Sequence, residues 1–278
     1  MSARKIKKPG EGGKLLPAYS YFYLAFLYVP VLFLPLFSFN DSRFIAFPLE
    51  GFTLRWYQEM LADRNLLASL WASLKLGFVV SALSTILGLL GAKALTRYKL
   101  PAKGPVTAAI MLPLFIPEII LGIGLLILWT MLDFDLSLIS VGIGHLLICV
   151  PFAMAVLMSR FEGFDKSLEE ASLDLGESAW MTFWRVTFPL VLPGIVSSLL
   201  LTFIVSFDEF LVAFFLSGTE PTLPVFMWSQ LRFPAKLPVV LALGALILII
   251  SCVLVVLAEM TRGRGLSEDA RHKVGVHG

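Results

Sequence analysis

Cysteine and charge are both scarce in this chain, and the two shortages exclude most soluble enzymes. Of 278 residues only Cys149 and Cys252 are cysteine; both lie in apolar runs with no C-x-x-C spacing. They read as small packing residues, so neither a disulfide framework nor a thiolate metal site is expected. His145 has no companion histidine at metal spacing, and no metal ligand set is assigned. Charged residues are 15% of the chain, and a net charge of +2 with no basic, aromatic-interleaved patch argues against nucleic-acid binding. No G-x-x-x-x-G-K-[ST] loop is present to cradle a nucleotide, and no G-x-S-x-G elbow to carry a hydrolytic serine. No catalytic residue is assigned.

Apolar sequence dominates instead. The chain is 58% hydrophobic with a mean hydropathy of +0.85, which marks an integral membrane protein with room for one membrane domain. Apolar runs fall at 18–39, 67–92, 105–131, 138–159, 190–216 and 238–260. Each exceeds the roughly 20 residues needed to cross a bilayer, so an all-α fold with six transmembrane helices over residues 18–260 is expected. Pro30, Pro35, Pro113, Pro117, Pro151 and Pro193 lie inside these runs, where neighbouring helices can satisfy the freed carbonyls.

Basic residues orient the spans. The tail 1–17 carries Arg4, Lys5, Lys7, Lys8 and Lys14; the segment after the second span carries Lys93, Arg97, Lys99 and Lys103; the tail 261–278 carries Arg262, Arg264, Arg271 and Lys273. Both termini are therefore expected in the cytoplasm, an N-in/C-in arrangement. The first run is too long for a secretory signal and lacks an A-x-A-like cleavage site, so it reads as a retained anchor. No internal repeat supports an inverted-repeat secondary transporter.

Ionisable groups inside a span cost roughly 2.5–3.5 kcal/mol each on insertion scales, and so tend to face a cavity or a partner. Lys75, Glu118, His145, Asp208 and Glu209 are the candidates. Counted along straight helices, Glu118 and Asp208 both fall roughly 20 Å from the cytoplasmic side, which makes a shared acidic site possible. Asp208 and Glu209 would point about 100° apart, so that one of the two faces the pathway. Trp129, Phe207, Phe210 and Trp228 could add cation–π contacts. Competing structural roles remain open: Lys75 could pair with Glu118, Asp208 could cap a broken helix or meet a neighbouring subunit, and His145 could be a packed hydrogen-bonding residue.

Between the fourth and fifth runs lies a polar, helix-prone island, a loop over about 160–189. Leu168, Ala171, Leu175 and Ala179 recur at helical spacing and form an apolar stripe suited to a partner's groove. Glu169, Glu170, Asp174 and Glu177 place carboxylates on the other faces, Gly176 permits a turn between two short helices, and Pro189 and Pro193 mark the entry to the fifth span. Within it, Glu170-Ala171-Ser172, Gly176 and Val186-Thr187-Phe188-Pro189 resemble the E-A-A-x3-G-x9-I-x-L-P signature of ABC-importer permeases, with Ser172, Val186 and Phe188 as conservative departures.

The resemblance implies a type I importer-like permease in a bacterial inner membrane, embedded in lipid, whose loop is a cytoplasmic coupling helix. It assigns ATPase coupling to Glu169, Glu170, Ala171, Ser172, Asp174, Leu175, Gly176, Val186 and Pro189. It also implies a homologous permease subunit, two ATPase subunits that bind ATP and Mg, and a periplasmic substrate-binding protein, with no cofactor in this chain. An ion-coupled transporter using the buried acids as a proton relay would leave the loop without a role. Pro117-Glu118-Ile119-Ile120, His145 through Pro151, Ser159-Arg160, Ser206 through Phe210, Tyr28-Val29-Pro30 and Ser38-Phe39-Asn40 are similar to the spermidine/putrescine branch, second-permease type. That likeness, running from Tyr28 to Glu259, implies pathway acids at Glu118 and at Asp208 and Glu209; with Phe207 and Trp228 as cation–π groups beside them, these five are the candidate substrate-pathway residues. One departure, Lys236 in Pro234-Ala235-Lys236-Leu237-Pro238 where the branch tends to carry an acid, points to altered contacts with substrate or periplasmic partner.

Overall fold

A computed structural model describes residues 15–250 together with 252 and 253. The tail 261–278, the end of the sixth expected span and most of the tail 1–17 lie outside the described residues. The described chain is helical: α1 (Leu15–Ser38), α2 (Arg55–Ala62), α3 (Arg64–Arg97), α4 (Lys103–Met111), α5 (Glu118–Met131), α6 (Leu138–Glu162), α7 (Ser167–Asp174), α8 (Ala179–Thr182), α9 (Phe188–Asp208), α10 (Leu211–Leu216), α11 (Leu223–Gln230) and α12 (Pro234–Ile250). Four helical stretches are long and apolar enough to cross a membrane, or five if the bent pair Lys103–Phe115 and Glu118–Met131 is one span.

The chain divides into two units, residues 1–63 with 230–278 and residues 64–229. In the first, the loop after α1 is folded rather than open. Trp56, buried on α2, donates its indole N–H to the Asn40 carbonyl at 2.7 Å, and Asn40 Oδ1 accepts from the Glu50 amide at 2.9 Å. Arg55 pairs with Asp41 at 3.2 Å, and Lys236, the departure noted above, lies 3.8 Å from Asp63. That lysine is thus already facing an acid of its own unit.

The second unit is built on α3, α6 and α9, which pack against one another pairwise. The seam on α3 is made of small residues: Ser69, Ser73, Gly77, Ser81, Ser84, Thr85, Gly88 and Ala92 are all buried. In lipid the hydrophobic effect gives helices no reason to associate, so close van der Waals contact and interhelical hydrogen bonds must hold them, and small residues permit both. Thr85 Oγ1 and Ser198 Oγ meet at 3.1 Å between α3 and α9. At Gly88 the backbones approach so nearly that a Cβ would lie 2.7 Å from Ala153 Cβ and 2.9 Å from the Met154 nitrogen. Backbone cannot yield as a flexible side-chain tip would. Gly88→Leu should therefore destabilise by about 1–3 kcal/mol, read as a lower melting temperature of the purified protein. Gly124→Leu, where a Cβ meets nothing within 4 Å, is the matched control.

Two expected spans are not straight helices. The run 105–131 bends by 100° between Phe115 and Glu118. Pro113 and Pro117 remove two amide donors, and Ile116, preceding a proline, is driven to an extended backbone at ψ 127°. Glu118 is therefore the first residue of α5, not a position halfway along a continuous span, and the shared depth inferred for Glu118 and Asp208 does not follow from counting. The run 190–216 also breaks, after Asp208, where Glu209 is extended at ψ 122° before α10 begins. Asp208 and Glu209 thus do not share one helix. At its other end the fifth run starts earlier than expected. A π turn over Phe183–Thr187 joins α8 to α9, with the Phe188 amide bonding the Phe183 carbonyl. The wider turn accommodates Pro189, whose ring would clash with the carbonyl four residues back in a regular α-turn.

Candidate functional site: a polar loop and a broken helix

The polar loop is a strapped double helix-turn. Asp165 accepts the Ser167 amide at 3.0 Å to start α7, and the Ser167 amide and hydroxyl together hold its carboxyl below the usual carboxylate range. Gly176 sits at φ +91°, a left-handed conformation that closes α7 through the Gly176 amide on the Leu173 carbonyl. Ser178 then caps α8 on the Met181 amide at 3.2 Å, and Ser172 and Thr182 hydroxyls meet at 3.0 Å, so the two short helices are locked to each other. Arg185 pairs with Glu177, and Lys93 Nζ lies 4.5 Å over the Phe183 ring.

Glu169 differs from its neighbours. One oxygen lies 2.7 Å from Arg97 Nε at the end of α3, and the other accepts from the Thr187 hydroxyl at 2.5 Å. The Arg97 guanidinium is also 4.3 Å over the Phe164 ring. Both ionic side chains are largely buried, at 8% and 14% exposure. Expected among the outward carboxylates, Glu169 instead turns inward and ties α3, α7 and the π turn into one node. Glu170, Ala171 and Asp174 are exposed, and Leu168, Leu173, Leu175 and Trp180 are 45–87% exposed, so the apolar stripe is bare. Val186 is half-buried and Pro189 exposed where the loop enters α9.

The second cluster surrounds the break after α9. Glu209 is buried and accepts the Val212 amide at 2.9 Å and the Ala213 amide at 3.0 Å, capping α10. His145 Nε2 lies 3.1 Å from Glu209 Oε2, and His145 Nδ1 is 2.9 Å from the Ser206 hydroxyl. Asp208 is exposed, and its carboxylate makes no hydrogen bond or ion pair among the described residues. Its charge sits at the negative end of α9, where a carboxylate is unfavourable by about 0.3–1 kcal/mol. Glu209 sits at the positive end of α10, where a carboxylate is favoured. Two adjacent acids are thus in opposite electrostatic situations.

Aromatic rings flank the break. Phe210 lies 5.5 Å from Trp228, which is half-exposed, and Phe207 lies 5.8 Å from Phe203. Trp129 packs instead against Phe134, the rings tilted by 37° with centroids 4.9 Å apart. Glu118 is exposed and lies one turn before Gly122, where α5 touches α10: a Cβ on Gly122 would be 2.8 Å from the Phe215 ring. Lys75 does not pair with Glu118. It lines an apolar cavity of about 310 Å³ between α3 and α6, with Val79, Leu83, Leu138 and Gly142. The His145–Glu209 pairing was not foreseen, although His145 and Glu209 were each singled out as ionisable groups in apolar runs.

Residues 84–262 match the family model described as binding-protein-dependent transport system inner membrane component. The chain is 31% identical over 261 residues to the spermidine/putrescine transport system permease protein PotC of Shigella flexneri, covering 92% of this chain and 96% of the relative. It is 32% identical over 231 residues to the putrescine transport system permease protein PotI of Escherichia coli, covering 80% and 82%. Among solved structures, a bacterial alginate ABC transporter in complex with an alginate pentasaccharide-bound periplasmic protein has a similar fold, at TM-score 0.69 and 17% identity over 88% of this chain and 90% of that one. The EAA-like loop, the apolar helices and these matches agree: the chain belongs to the binding-protein-dependent inner-membrane component family and is a multi-pass permease subunit of an ABC importer in a bacterial inner membrane, a transport component rather than an enzyme.

Proposed function

We propose that this subunit forms half of a polyamine-import pathway, taking spermidine, putrescine or a closely related cationic amine. The observation that carries the reading is Asp208: an exposed, unpartnered carboxylate at the negative end of a broken helix, following Phe207 and two residues before Phe210, whose ring pairs with Trp228. Each ammonium that leaves water needs a compensating negative charge, and aromatic faces add cation–π attraction. Glu118, on the α5 face that meets α10, is the second pathway carboxylate. The likeness to relatives named for spermidine and putrescine transport supports the same substrate class.

The assembly we propose has six spans with both termini in the cytoplasm, a homologous permease partner, two ATPase subunits holding ATP and Mg, and a periplasmic binding protein. The orientation is supported by the basic residues Lys93, Arg97 and Lys166, which gather around the polar loop at one end of the bundle. Outward Glu170, Ala171, Asp174 and Leu175 dock the ATPase; inward Glu169, with Ser172, Gly176, Val186 and Pro189, keeps the loop stiff enough to pass its motion to α3 and α9. The test is ATP hydrolysis by the reconstituted complex with its binding protein. Spermidine or putrescine should stimulate it, while uncharged and anionic solutes should not. Stimulation only by a non-cationic solute would remove the polyamine assignment and leave the importer class standing.

A further inference from the structure

We infer that Glu209 and His145 are positioning residues that clamp α10 so that Asp208 and the freed carbonyl ends of α9 form one preorganised ammonium subsite; this deepens the polyamine reading and rests on it. An acidic pair invites the view that both carboxylates meet the cargo. Their surroundings separate them. The Glu209 side chain is 4% exposed and its oxygens are committed to two α10 amides and to the approach of His145 Nε2. His145 is fully buried, and its other ring nitrogen reaches Ser206 one turn back on α9. The pair therefore joins three elements: α6, the end of α9 and the start of α10.

The far end of α10 is held by the same helix. Ser140 on α6 donates its hydroxyl to the Leu216 carbonyl at 2.8 Å. Between the two attachments α6 presents Gly144, where a Cβ would be 2.6 Å from Val212, and α5 presents Gly122 on the other contact. A helix of six residues has too few internal hydrogen bonds to persist alone. Anchored at both ends and gripped by two glycine contacts, it becomes a rigid stop for α9. The stop leaves the last carbonyls of α9 without intrahelical partners, and half-helix ends of this kind suit cations. Asp208 adds the formal charge. The structure thus divides labour within the pair: Asp208 meets an ammonium, and Glu209 fixes where Asp208 stands.

The two roles differ in what a neutral amide can replace. Gln at 209 keeps the size and one acceptor oxygen, enough for the Val212 amide. Its amide nitrogen, standing where Oε2 was, can donate toward His145 Nε2 but no longer accepts from Ala213, so the clamp loses one of its hydrogen bonds and keeps the rest. It cannot replace a charge offered to a substrate. In the reconstituted complex with spermidine, Glu209→Gln should retain half-saturation within about twofold, while Glu209→Ala and His145→Ala should each weaken it by roughly tenfold or more, the scale of a misplaced binding group. In an Asp208→Asn background, Glu209→Ala should add less than about twofold, because it acts through Asp208. A Glu209→Gln loss as large as that of Asp208→Asn overturns the inference, as does full additivity in the double variant. If Glu209→Ala does not assemble, Glu209→Gln decides alone by the same criterion. Should another solute prove to be the cargo, the Gln-versus-Ala contrast measured with that solute still tests the clamp, separately from the polyamine reading.

Discussion

Replacing Arg97 with Ala should leave an assembled importer whose ATP hydrolysis no longer responds to substrate. Arg97 ends α3, and its Nε lies 2.7 Å from a Glu169 carboxylate whose second oxygen takes the Thr187 hydroxyl. Removing one member of a largely buried pair leaves the other charge uncompensated, a cost of about 3–5 kcal/mol. The expense falls on an ionic node that joins the loop to α3 and to the π turn leading into α9. The loop's outward face, with Glu170, Asp174 and Leu175, is untouched, so ATPase binding and basal hydrolysis should persist. Substrate stimulation should fall to within about twofold of basal, since 3 kcal/mol would shift the node's equilibrium by more than about a hundredfold. Exchanging the pair, Arg97→Glu with Glu169→Arg, should recover part of the stimulation; Glu170→Gln should instead weaken ATPase association. Undiminished stimulation in Arg97→Ala would show that force passes by another route.

The contrast between Glu169 and Glu170 also shows how far a sequence can be read. Helical spacing foretold an apolar stripe, and Leu168 and Leu175 are indeed bare. Spacing alone placed Glu169 among the exposed acids, because its partner Arg97 is 72 positions away and periodicity within one segment carries no information about such a contact. The same limit applies to the helix breaks. Pro113 and Pro117 were visible, yet whether a proline is absorbed or bends the chain depends on what lies alongside; here the chain turns 100°. The break after Asp208 has no proline at all. It is held by Glu209, His145, Ser140 and two glycines from α5 and α6, which come together only in the folded bundle. Membrane class and the loop were legible because they rest on composition and local motif; the division of roles between adjacent acids was not, because it rests on tertiary packing.

Asp208→Asn should separate stability from function by moving them in opposite directions. Asn is nearly isosteric and well tolerated at a helix C-terminus, and it removes a carboxylate from the negative end of α9. Thermal stability of the purified complex should therefore stay constant or rise slightly, by up to about 1 kcal/mol. Polyamine binding should weaken sharply. Losing one partner of a desolvated charge pair costs about 2–5 kcal/mol, so half-saturation of spermidine-stimulated hydrolysis should rise by at least ~30-fold. Glu118→Gln should have the smaller effect, because Glu118 lies at the positive end of α5 and its charge is partly satisfied by the helix itself. Raising salt offers an independent check, since an exposed carboxylate is screened with a Debye length of about 8 Å at physiological ionic strength; the gap between native and Asp208→Asn proteins should narrow as salt increases. A variant that is less stable yet binds polyamine normally would mean that Asp208 supports the helix break, and the cationic subsite would have to be sought at Glu118.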